Sequence, residues 1–84
     1  MEKENELLKN LDKLHTTELG AVRIKRNLSL TTEEVVPWCR AKIIAAQAVI
    51  TRKGKNWYVA VDNCTITVNA HSYTIITAHK FPNS

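Results

Sequence analysis

The sequence predicts an α+β domain, with about three N-terminal helices packed on one face of a four-stranded antiparallel meander. Three observations lead there. Apolar residues recur at helical spacing as far as about residue 43, and the period changes to two from about residue 46. The β-rich segments are then joined by connections too short for anything but antiparallel neighbours. A helical half followed by a sheet half is the pattern of helices segregated to one face of an antiparallel sheet.

The helical half is expected over about residues 3–43. In EKENELLKNLDKLH, Leu7, Leu8, Leu11 and Leu14 form one apolar stripe with charges elsewhere. HTTELGAVRIKRNL offers Thr16 or Thr17 as the N-cap of a second helix that runs to about Leu28. TTEEVVPWCRAKI places Thr31 and Glu34 in capping-box spacing and predicts a third helix. Pro37 suits the first turn of that helix, and further inside it would kink the chain.

The sheet half is expected over about residues 46–80. AVITRKG, NWYVAVD, CTITVNA and YTIITAHK are the strand segments, separated by the turn-forming KGK, DN and HS. Alternation assigns Trp57, Val59 and Val61, Ile66 and Val68, and Thr74, Ile76 and Ala78 to the core. Tyr58, Thr67, Asn69, Tyr73, Thr77 and His79 fall on the far face. Pro82 marks a short C-terminal tail.

Composition narrows the class. At 84 residues this is a single domain that buries roughly 60–65% of its unfolded surface. The longest apolar run, Ile43 to Ile50, is too short to span a bilayer, so no membrane partner is expected. MEKENELLKN carries no signal-type apolar stretch, which points to the cytoplasm. Cys39 and Cys64 lack metal-ligand spacing and read as small buried hydrophobes; no metal or cofactor is expected. The net charge of +4 favours a polyanionic partner without proving one.

Two features ask for a ligand. The far face carries hydroxyls, an amide and an imidazole in its last two strands, where Lys and Glu would serve solubility. On the second helix, Arg23 and Arg26 lie opposite Ala21, Ile24 and Leu28, and His15 joins their stripe if the helix starts early. An ordinary solvated sheet face and an exposed basic helix face explain the same residues, and both readings stand at this stage. Arg52, Lys53 and Lys55 form a basic hairpin tip suited to a phosphate backbone, with Lys80 a further cation. His71 reads as a loop residue; Trp57 and Tyr58 are aromatics of the kind that stack a base, and burial is the simpler explanation of Trp57.

LHTTELGAVRIKRNLSL, VPWCRAKI and RKGKNWYVAVDNCTITVNAHSYTIITAHK together resemble a domain-of-unknown-function family of short bacterial proteins, over roughly residues 5–80. More distantly, a helix bearing His and Arg, a further helix and a meander ending IITAH resemble the BECR fold of barnase-like, EndoU-like, colicin D-like and RelE-like ribonucleases. That resemblance implies a catalytic set of His15, Arg23 or Arg26, Thr77 and His79. It also implies a toxin-like or translation-linked role. Metal-independent RNA cleavage needs two proton carriers and cations on the transition state, roles that His and Arg can fill. A second expectation is RNA binding without catalysis, through Arg23, Arg26, Arg52, Lys53, Lys55, Tyr58, Asn69, Tyr73 and Lys80. A third is a protein-interaction domain or homodimer docking through the leucine stripe of the first helix.

Overall fold

The computed structural model describes residues 6–81. Three helices precede four strands: α1 (Glu6–Lys9), α2 (Glu18–Leu28), α3 (Val35–Ile43), β1 (Val49–Lys53), β2 (Asn56–Val61), β3 (Cys64–Asn69) and β4 (Ile75–Lys80). The sheet order is β1-β2-β3-β4 and all three pairings are antiparallel, so the α+β meander expected from the sequence is the fold observed. The start expected near residue 3 and the tail at Pro82 lie outside the described residues.

The first helix is shorter than its stripe predicts. It ends at Lys9 and gives way to a 3-10 turn, Leu11–Lys13. Leu7 and Leu14 are buried in the core and Leu11 packs against it, whereas Leu8 points to solvent. The leucines thus seal the protein's own core, which removes the feature that favoured docking to another chain.

α2 starts as expected, with the Thr17 hydroxyl accepting a hydrogen bond from Gly20 N at 2.9 Å. Gly20 is required by a close approach. A Cβ there would collide with Thr16 Oγ1, and that hydroxyl donates to Ile75 O in β4 at 2.8 Å. Asn27 Nδ2 donates to Ala78 O on the same strand at 3.1 Å. α2 therefore lies along β4, one of the two edge strands.

α3 corrects the expected capping box. It begins at Val35, and Glu34 N donates to Thr32 Oγ1 at 2.9 Å, so Thr31 is not the cap. The later start places Pro37 in the first turn, where its missing N–H is tolerated. The DN turn joining β2 to β3 has positive φ at both Asp62 and Asn63, as a two-residue hairpin with the twist of its strands requires.

The core lies between the helices and one sheet face. Ile24, Leu28, Val35, Cys39 and Ile43 meet Trp57, Val59, Val61, Cys64, Ile66, Val68, Ile75 and Ala78 there. β4 departs from simple alternation. Val68 pairs with Ile75 and Thr67 with Thr77, which leaves Ile76 as the extra residue of a bulge. Ile75 is consequently fully buried and Ile76 is 38% exposed, the reverse of the expected assignment. Thr74 likewise leaves the expected core set, and Tyr73 leaves the strand, entering a turn with φ 61°.

Candidate nucleic-acid interface

No described helix contributes to a buried cluster on the other sheet face, and the strand register fixes its composition. Thr51, Tyr58, Thr67 and Thr77 pair successively across all four strands and form one row of hydroxyls. On one side of it runs the row Lys53, Asn56 and Asn69. On the other runs Val49, Ala60, Thr65 and His79. Of the residues expected here, Tyr58, Thr67, Asn69, Thr77 and His79 share this face. Thr67 is its one buried member, at 6% exposure.

The antiparallel turns bring several basic residues to the end of the sheet that carries Lys53. Ala70 N donates to Lys55 O at 2.8 Å, so the β1–β2 loop touches the β3–β4 turn. Arg52 lies 5.4 Å from the centroid of the Trp57 ring and donates from Nε to Gly54 O at 3.0 Å. The Trp57 and Tyr73 ring centroids are 5.4 Å apart, and Lys13 Nζ lies 5.5 Å from the centre of the Tyr73 ring. Cation, indole, phenol and cation thus follow one another, and the two rings hold Arg52 and Lys13 in place by their electron-rich faces. With Lys53 and Lys55 the end carries four formal positive charges, and Asp12 is the carboxylate adjoining Lys13 in the chain.

The β3–β4 turn is tightly determined. Asn69 Oδ1 accepts from His71 N and Ser72 N, both at 2.9 Å, an Asx-type turn. Ser72 Oγ lies 2.7 Å from Thr74 Oγ1, which lies 3.0 Å from His15 Nε2. His15 Nδ1 lies 2.9 Å from Lys13 O; a carbonyl only accepts, so Nδ1 carries the hydrogen. The backbone of His15 is tied as well, with His15 N donating to Tyr73 O and Ile75 N to His15 O. These bonds hold Tyr73 in its left-handed conformation, which costs an aromatic residue energy and persists only where the surroundings impose it.

The residues named from the sequence fall into three places. His15, Arg52, Lys53, Lys55, Asn69 and Tyr73 gather at the basic end. Tyr58 and Thr77 occupy the hydroxyl row. His79 and Lys80 lie toward the opposite end, where Lys42 Nζ bonds Asp62 Oδ2 at 2.6 Å. Asp62 is held below its ordinary carboxylate pKa by the hydrogen bonds from Lys42 and Gln47. Thr74, just before β4, and His79 are five positions apart along an extended chain, so His15 and His79 stand about 16 Å apart at a rise of about 3.3 Å per residue. The structure does not bring those two imidazoles onto one phosphate. Arg23 and Arg26 are exposed on α2 beside Leu19 and Val22 and make no ion pair among the described residues.

Lys13, Ser72 and Thr74 belong to the basic end and were missed from the sequence. The NxxS spacing of Asn69 and Ser72 was the available signal for the turn; nothing local marked Lys13 or Thr74. A groove of about 330 Å³ between the starts of α2 and α3 is a different place, rimmed by Glu18, Glu33 and Glu34, and its charge opposes a polyanion. Cys39 and Cys64 are buried and unbridged, and burial pushes the Cys39 thiol up to about 12, far from a working nucleophile. Among the described residues there is no cluster of three or more His, Cys, Asp or Glu able to hold a metal. No described helix is long and apolar enough to cross a membrane.

Fold and face together define a small α+β protein with a helix-backed, four-stranded antiparallel sheet, one face open and one end basic. The chain matches, over residues 8–79, the model of a family described as "Protein of unknown function (DUF3781)", and it belongs to that family. No curated protein and no solved structure matches it.

Proposed function

We propose that the protein binds nucleic acid, RNA foremost, on the open sheet face and its basic end. One observation carries this reading. The strand register sets Lys53 at the end of a face whose centre is a row of hydroxyls, Lys55 lies in the adjoining turn, and Arg52 and Lys13 stand at the same end on the other side of the sheet, over the Trp57 and Tyr73 rings. Lysine and arginine there meet phosphates by releasing condensed counterions, and the hydroxyls and the Asn56 and Asn69 amides supply short-range hydrogen bonds.

Binding of a fluorescent RNA oligomer across a salt series tests it. Four cations on a single strand give a log–log slope of about −3. Lys53→Glu with Lys55→Glu flattens that slope and weakens binding. A slope near zero, or no affinity at low salt, sinks the proposal.

Catalysis is a second reading, favoured by Thr77 and His79 sharing the open face. His79 then acts as one proton carrier beside the hydroxyls, without His15. Purified protein incubated with RNA in chelator shortens the RNA, and His79→Ala slows that by about 10²–10⁴-fold. RNA of unchanged length across several substrates removes the catalytic reading and leaves binding intact.

A further inference from the structure

Resting on the nucleic-acid reading, we infer that the ligand is single-stranded and that one unpaired base stacks on the ring of Tyr58. Tyr58 is the single aromatic side chain that the four strands place on the open face. It sits on one of the two inner strands, with Thr51 beside it on β1 and Thr67 beside it on β3. Both neighbours are short, so neither walls off the ring, and the residue is half-buried rather than covered.

The posture of the ring supports the same conclusion. Asn56 Nδ2 donates to Tyr58 Oη at 3.4 Å. Asn56 lies two residues earlier on the same strand and the same face, about 6.6 Å away along β2. For its hydroxyl to reach that amide, the phenol must lean along the strand over the sheet instead of standing up from it. A ring laid down in this way is a platform, and a base settles on a platform by stacking. The lean is also directional. It points the phenol at the row of Lys53, Asn56 and Asn69, so a nucleotide stacked there has its phosphates beside the basic end.

Duplex nucleic acid cannot use this arrangement. Its bases are already stacked on one another and present only their edges, whereas an unpaired base has a free face to offer. The hydroxyls of Thr51 and Thr77, in register with Tyr58, are then placed to bond the edge of the seated base. Thr67, buried between them, serves as the floor.

The experiment compares three ligands on the native protein: a short single-stranded RNA, the same RNA as a duplex, and inorganic polyphosphate. The single strand is expected to bind tightest. Tyr58→Leu keeps an apolar side chain but loses the π face, and it should weaken single-strand binding about 5- to 150-fold. Its salt slope and its affinity for polyphosphate should stay as in the native protein, and Tyr58→Phe should retain RNA binding. An oligomer with abasic sites provides the same test on unaltered protein, losing affinity while keeping every phosphate. Equal affinity for duplex and single strand, or for intact and abasic oligomers, overturns the base site and leaves a basic surface. Absence of salt-dependent binding to RNA and polyphosphate alike overturns the nucleic-acid reading itself.

Discussion

The two faces of this sheet are made from the same strands and carry opposite chemistry. On the covered face Val59, Ile66 and Val68 are fully buried beneath the helices; on the open face Thr51 and His79 are exposed. The covered face tells how the chain folds, because removing its apolar area from water is the main favourable term for a domain of this size. The open face contributes little to that term. Its residues are free to be chosen for what they bind.

Substitutions at matched positions break or sharpen this contrast. The largest effect is expected at the centre of the covered face, where Ile66→Ala leaves a cavity and costs about 2–5 kcal/mol. That is a large share of the about 5–15 kcal/mol that holds a domain folded. Thr51→Ala on the open face should stay within about 0.5 kcal/mol. Denaturant midpoints of the two variants check the pair, and similar losses would erase the distinction between faces.

The bulge gives a finer test within one strand. Ile75→Ala should cost about 2–5 kcal/mol, as for any fully buried isoleucine. Ile76→Ala, at the exposed bulge position, should cost under about 1 kcal/mol. A reversed order would mean that β4 alternates without interruption. A separate effect, confined to alkaline solution, comes from the core against the covered face. Cys39 keeps its proton in the folded protein up to about 12, whereas an exposed thiol loses it near 9.0. Between those values the unfolded chain binds fewer protons, so stability falls as pH rises through that window. Below pH 9 the thiol makes no pH-dependent contribution. Chemical denaturation from pH 8 upward reads this, with thiol labelling of the native protein negligible at the lower end.

The helix count, strand order and core faces of β2 and β3 were legible because each rests on a local period. Trp57, Val59 and Val61 alternate without a break, and the fold keeps them as written. The bulge at Ile76 was not legible: Ile75 and Ile76 are the same residue type, and nothing in YTIITAHK says which of them faces inward. The start of α3 was misread for a related reason. Thr31 and Glu34 have capping-box spacing, but Thr32 binds Glu34 N first and the helix begins one turn later.

The candidate site divides along the same line. The far-face members Tyr58, Asn69, Thr77 and His79 followed from counting alternate residues along the chain. Their rows across the sheet depended on register, which pairs Thr51 with Tyr58 and Tyr58 with Thr67. The basic helix stripe expected to join His15 to Arg23 and Arg26 took a different form, since His15 lies before α2 and is tied to the strand edge.

The sequence by itself determined the α+β class, the meander, the burial of both cysteines and the presence of a polar face. Each of these follows from residue type and spacing within a dozen positions. Only the tertiary structure decided that Lys13 and Arg52 frame a pair of tilted, neighbouring rings. It alone showed that His15 is held by Thr74, 59 residues away, and that the histidines stand at opposite ends of β4. The physical reason is that such contacts are made by packing and hydrogen bonding between segments that meet only when the sheet closes against its helices. No local pattern carries their geometry.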